Sequence, residues 1–182
     1  MSAAVLGPER VEGAWTLAEF VDHAVAQRPL WESLVARADL PEDLLARARA
    51  VQRPLCLVVL AEDWCGDAVN TVPVMGRLAA ETGWDLRVVR RDENLDLMDQ
   101  HLTGTSRSIP VVIVLDAESG QELGWWGSRP RPLQAWYSTV GRGLEPAERY
   151  LHARRWYALD RGRTAVSELL DLIEAATATS AS

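Results

Sequence analysis

Lysine is missing from this chain: all 19 basic residues among its 182 are arginines. Without a side-chain primary amine, Schiff-base chemistry and a Walker-type phosphate lysine are excluded. No basic block stands out either, and the formal net charge is -7. That balance argues against nucleic acid or an anionic membrane surface as a partner. Long apolar runs are also absent. The longest, 55–61 and 109–115, hold seven residues each, against the roughly 20 that a membrane span requires. Residues 1–8 lack the basic n-region of a targeting signal, so the chain reads as cytoplasmic, where thiols stay reduced unless they do redox work. Cysteine is scarce: only Cys56 and Cys65 occur. Two cysteines cannot make a disulfide framework or a Cys-based zinc site, and His23, His101 and His152 show no metal-ligand spacing, so no metal site is expected. The two sulfurs are left as a structural thiol, a reactive thiol, or one of each.

What is present suits a globular protein of one domain plus an extension, with 48% apolar and 25% charged residues. No internal repeat and no Gly/Ser-rich linker divides it. Residues 1–53 read as a helical extension packed on the core. Thr16 and Glu19 have capping-box spacing, a second short helix fits 29–38, and Pro41 suits the start of a third. From Pro54 the pattern changes. The continuous apolar run at 55–60 predicts a strand covered on both faces. A helix comes after it, from about Cys65 to Glu81, closed by Gly83. A strand at 84–90, a helix at 94–102, a buried strand at 111–115 and a hairpin partner at 121–126 come next. Helix resumes around 133–140. The last segment, 144–182, reads as a helical extension opened by Pro146. It carries an amphipathic stripe of Val166, Leu169, Leu170 and Ile173, then a small polar tail, 177–182, that should fray.

The chemistry gathers at Glu62-Asp63-Trp64-Cys65-Gly66-Asp67-Ala68, where a buried strand gives way to a helix. A cysteine at a helix start meets free backbone N–H groups and the positive end of the helix dipole. Both favour the thiolate, the nucleophilic form. Trp64 would shield one side of the sulfur, and Gly66 would let a partner's backbone come close. Asp67 has two roles open to it: as an ionised neighbour it opposes a second negative charge, and as a cap it satisfies first-turn amides.

These residues resemble the thioredoxin superfamily. Trp64-Cys65-Gly66 matches the start of the WCGPC motif, and Pro73 stands where thioredoxins kink the active-site helix. Ser108-Ile109-Pro110, leading into 111–114, matches the loop that holds a cis-proline beside the active site. The resemblance covers 54–143. It implies a thioredoxin-like α/β fold: a central mixed sheet with helices on both faces, here with extra N-terminal and C-terminal helices. It further implies that the backbone of Ile109, set by Pro110, pairs with a bound peptide by strand-like hydrogen bonds. The departures define the chemistry that remains. Ala68 replaces the second motif cysteine, Asp67 replaces the motif proline, and Val59 stands where thioredoxins bury an acid. The chain looks most like a bacterial branch with WCGD-type motifs, and its Trp156–Gly162 segment is similar to that branch too.

The resemblance therefore implies a thiol–disulfide oxidoreductase with one working thiol, Cys65. Trp64, Gly66, Asp67, Ile109 and Pro110 would bind substrate or modulate the thiol. No bound cofactor is expected. A protein or low-molecular-weight disulfide would be the substrate, and an external thiol (glutathione, mycothiol, bacillithiol or a protein thiol) would resolve the mixed disulfide. A redox-inactive binding module and a cysteine redox sensor are the other readings. Cys56, five or six strand residues from the strand end, lies roughly 15–20 Å from Cys65 and cannot pair with it. It reads as a small core residue. The tryptophans 125, 126, 136 and 156 read as core and seam residues, and the run 90–93 as a solvated strand end.

Overall fold

A computed structural model describes residues 6–179 of the chain. Four short helices come first: α1 (Pro8–Glu12), α2 (Leu17–Asp22), α3 (Arg28–Arg37) and α4 (Glu42–Ala50). Strand β1 (Leu55–Ala61) leads into α5 (Gly66–Thr82), followed by β2 (Asp85–Arg90), α6 (Leu95–Met98), β3 (Val111–Asp116) and β4 (Glu122–Gly127). Helices α7 (Arg131–Ser138), α8 (Pro146–Asp160) and α9 (Arg163–Thr179) complete the order. The expectation that 1–5 carry no targeting signal lies outside the described residues, as does fraying at 180–182. Residues 177–179 continue α9.

The sheet is mixed, in the order β2-β1-β3-β4. β1 runs parallel to β2 and antiparallel to β3, with Cys56 opposite Asp85 on one side and Leu115 on the other. Every residue of β1 and β3 is buried, as continuous apolar strands covered on both faces must be. Both extensions join this core. Phe20, Trp31, Leu44 and Ala48 from the N-terminal helices share one apolar cluster with Val166, Leu169, Leu170 and Ile173 of α9. Thr16 caps α2 with Glu19 in a reciprocal capping box, and Gly83 closes α5 at φ +73°, where a side chain would be strained.

The structure corrects two expectations. The helix expected at 94–102 is only one turn, α6, after a 3₁₀ turn at Arg91–Glu93. The Asn94 side chain donates to the Arg90 carbonyl at the end of β2, and the His101 ring bonds the Leu97 carbonyl, a backbone group that a longer helix would use. The run 90–93 is solvated only in part: Asp92 and Glu93 are exposed, whereas Arg90 and Arg91 are half-buried. Arg90 reaches the buried Glu62 at 3.0 Å and packs over Trp15 and Phe20, while Glu62 also accepts from the Asp92 N–H at 3.0 Å. The tryptophans do join elements. Trp126 of β4 donates to Glu168 of α9 at 2.8 Å, and Trp136 of α7 stacks on His152 of α8.

Candidate functional site

β1 ends at Ala61, and the next four residues turn the chain into α5. Asp63 holds this turn in place. Its carboxylate accepts the Val25 and Ala26 N–H groups at 2.7 and 3.0 Å, and its carbonyl accepts the Trp31 indole N–H at 2.9 Å. Burial penalises the Asp63 charge, but those backbone donors and Arg90 outweigh it and keep the carboxyl below its usual range. The loop before Cys65 is thus anchored to the N-terminal helices.

Cys65 is the N-cap of α5, and its Sγ accepts the Ala68 N–H at 3.4 Å. On its other side the thiol donates to the Ile109 carbonyl at 3.5 Å. The Ile109–Pro110 peptide bond is cis. A low thiol pKa does not follow from this helix-start position. The residue is only 7% exposed; burial, with the Asp67 carboxylate adding to it, pushes the thiol from 9.0 up to about 11, against the opposing pull of the Ala68 and Asp67 N–H groups and Arg129. Cys56 is buried in β1, and its thiol is likewise raised by burial to about 11. Both thiols are free.

Asp67 does not cap the helix. One carboxylate oxygen meets the Arg129 guanidinium at 2.8 Å, and the other accepts the Tyr157 hydroxyl at 2.8 Å. The Arg129 guanidinium sits over the Tyr137 ring, 4.1 Å from its centroid. Burial and the Asp67 charge push both phenols above their ordinary pKa. Asp67 is therefore an ionic hub joining α5 to the segment after β4 and to α8. Trp64 is 50% exposed, and the Arg91 guanidinium sits 5.1 Å from its ring centroid. A Cβ added at Gly66 would meet Tyr150 at 3.7 Å, an ordinary contact. Gly127 is more constrained, since a Cβ there would stand 2.6 Å from the Pro110 carbonyl oxygen.

These parts open onto one cavity of about 950 Å³. Trp64, Cys65, Gly66, Asp67 and Ile109 line it. Pro110 is buried and does not. Its opposite wall is α8, which presents Arg149, Tyr150, Ala153, Arg154 and Tyr157 to the cavity. Arg129, Tyr137 and Tyr157 escape sequence reasoning because nothing local marks them, although the Trp156–Gly162 segment carries Tyr157. No group of three or more His, Cys, Asp or Glu among the described residues is placed to hold a metal, and no described helix is long and apolar enough to cross a membrane.

The chain has a solved structural counterpart in a protein of unknown function from Pseudomonas aeruginosa, at 25% identity, a TM-score of 0.69, and coverage of 91% of this chain and 95% of that one. An HIV epitope-scaffold crystal structure shares the fold at 23% identity and a TM-score of 0.69, covering 92% of this chain and 96% of its own. No curated protein matches the chain. The sequence model of the family described as Thioredoxin matches residues 14–143, which include β1, the Cys65 turn, Pro110 and the whole sheet. On that match and this mixed sheet, the chain belongs to the thioredoxin family.

Proposed function

We propose that the protein is a thiol–disulfide oxidoreductase of cell redox homeostasis that works through one thiol, Cys65. The Cys65 proton is lost to solvent, and the thiolate attacks a substrate disulfide. One substrate sulfur becomes bonded to Sγ, and the other leaves as a thiolate that takes up a proton. With Ala68 in place of a second cysteine, an external thiol must attack the Cys65 mixed disulfide, restoring the Cys65 thiol and carrying the substrate sulfur away as a new disulfide. Glutathione, mycothiol, bacillithiol or a protein thiol would serve. The observation that carries this reading is the placement of Sγ between the Ala68 N–H and the Ile109 carbonyl, on the wall of the cavity.

The resting thiol is slow in this reading. A thiol at about 11 is ionised at neutral pH in roughly one molecule in ten thousand. The stronger intrinsic nucleophilicity of a high-pKa thiolate recovers part of that loss and leaves a rate about tenfold below that of an ordinary cysteine. Substrate relieves the restraint. A substrate N–H paired with the Ile109 carbonyl competes with the Sγ–H bond, and losing a hydrogen bond made by the neutral form lowers a thiol's pKa. The depth of the thiol favours a second reading, a redox-inactive binding module.

Alkylation and mixed-disulfide formation with glutathione disulfide, followed by mass spectrometry from pH 7 to pH 10, separate the two. Single-thiol exchange predicts one adduct, on Cys65, whose rate climbs about tenfold per pH unit below the thiol pKa, and no adduct in Cys65→Ser. If the native fold forms no mixed disulfide at pH 9 while remaining intact, exchange is refuted and the binding module stands.

A further inference from the structure

The charge lining the cavity is opposite to that of the chain. Five arginines face it (Arg91, Arg107, Arg129, Arg149 and Arg154), and Asp67 is its single carboxylate, in a protein of net charge -7. Three of the five are committed elsewhere: Arg91 pairs with Asp92 at 2.8 Å, Arg107 with Asp99 through two bonds at 2.6 and 2.8 Å, and Arg129 with Asp67. Arg149 and Arg154 have no carboxylate partner among the described residues. Both belong to α8, which lies beyond the residues matched by the family. Tyr150, Trp64, Leu34, Asn70 and Gln27 also line the cavity. Walls come from α3, the start of α5, the loop before β3, the segment after β4 with α7, and α8. A pocket of about 950 Å³ is of the size that holds a small molecule.

We propose that this cavity binds a low-molecular-weight thiol and its disulfide whose carboxylates are held by Arg149 and Arg154 while its sulfur meets Cys65. The inference rests on the exchange reading for the use of the sulfur, and on the α8 arginines for recognition. Guanidinium pairs with carboxylate in charge-assisted hydrogen bonds. Glutathione and bacillithiol carry ionised carboxylates and satisfy this lining, whereas mycothiol, whose sugar and inositol are uncharged, leaves it unpaired. In the exchange step the Cys65 thiolate attacks glutathione disulfide, the Cys65–glutathione S–S bond forms, and one glutathione thiolate leaves and is protonated.

The test separates recognition from chemistry. Binding of S-methylglutathione, which cannot exchange, is measured by calorimetry on Cys65→Ser, and on Cys65→Ser combined with Arg149→Gln and Arg154→Gln. These arginines are at least partly exposed, and an unchanged thermal unfolding midpoint checks that the variant folds. The expected result is binding that survives Cys65→Ser, weakens with added salt, and falls at least about tenfold when both arginines are lost. Mixed-disulfide formation by the native cysteine should likewise prefer glutathione disulfide over uncharged hydroxyethyl disulfide, and lose that preference with the two arginines. Absence of binding, binding indifferent to the arginines, or capture of a Glu-rich peptide in place of S-methylglutathione overturns the inference. Binding that depends on the arginines, in a protein whose Cys65 never exchanges, leaves this inference standing and removes the exchange reading.

Discussion

Asp67 acts on both the Cys65 thiol pKa and the cohesion of the site. Its charge helps hold the thiol protonated, while its two bonds tie Arg129 and Tyr157 to the first turn of α5. Asp67→Asn removes the negative neighbour while the Arg129 charge, which already favours the thiolate, stays in place, so the Cys65 pKa falls. Alkylation of Cys65 at pH 8 should therefore run several-fold faster. The same variant strands Arg129, whose side chain is 22% exposed, and should cost about 2–4 kcal/mol in urea unfolding. The raised thiols also set a pH dependence. Cys56 and Cys65 both move from 9.0 to about 11 on folding, so between pH 9 and 10 the unfolded chain loses thiol protons that the folded chain keeps. Stability is then complete below pH 9 and falls as pH rises, with a slope approaching 1.4 kcal/mol per pH unit for each thiol. Cys65→Ala should remove the Cys65 share of that slope, up to about 1.4 kcal/mol per pH unit, in unfolding curves taken across this window. The direction of the Cys65 shift could not be foreseen from its place at a helix start. The favourable N–H groups are local in sequence, but the burial that outweighs them is a product of the folded structure, in which Ile109, 44 residues on, meets the sulfur.

At the level of elements, the end of β4 supports the loop that faces the sulfur. Gly127 pairs with Val111 in register, and the Pro110 carbonyl occupies the space a side chain would need. Gly127→Ala must displace backbone, not the tip of a flexible side chain. It should destabilise the fold by about 1–3 kcal/mol. By moving the Ile109 carbonyl off the Sγ–H it should also speed Cys65 alkylation at pH 8, read with iodoacetamide. Gly66→Ala, next to Cys65 itself, should leave stability within about 0.5 kcal/mol or raise it, because its new methyl meets Tyr150 at an ordinary distance and alanine favours a helix. Elements whose cause is local were legible in the sequence: the apolar run of β1, the Thr16–Glu19 capping box, the Gly83 stop of α5. α6 was not, since the His101 side chain takes a backbone partner that a longer helix would use, which apolar periodicity does not record.

Across the whole molecule, the chain beyond 143 is part of the structure that holds the site. α9 sinks Ala165, Val166, Leu169, Leu170 and Ile173 into the main core, each at 1% exposure or less. Four of these are large aliphatics worth about 1.5–3 kcal/mol apiece when buried, a sum that rivals the ~5–15 kcal/mol by which a domain is stable at all. A chain ending at 143 should accordingly fail to show a cooperative thermal transition by circular dichroism. The Cys65 side of the site was readable because Trp64, Cys65, Gly66 and Asp67 are contiguous and Pro110 stands at a fixed place before a strand. The opposite wall was not, because Arg129, Arg149 and Tyr157 reach Asp67 or the cavity only after folding brings distant helices over α5. The Asp67–Tyr157 bond spans 90 residues, and this separation sets an order of events on the ribosome. At about 5–20 residues per second, Asp67 leaves the tunnel several seconds, up to about 18, ahead of the tyrosine that completes its pairing. A nascent chain thus presents Cys65 without its α8 cover, and the thiol acquires its mature surroundings only once α8 has left the tunnel.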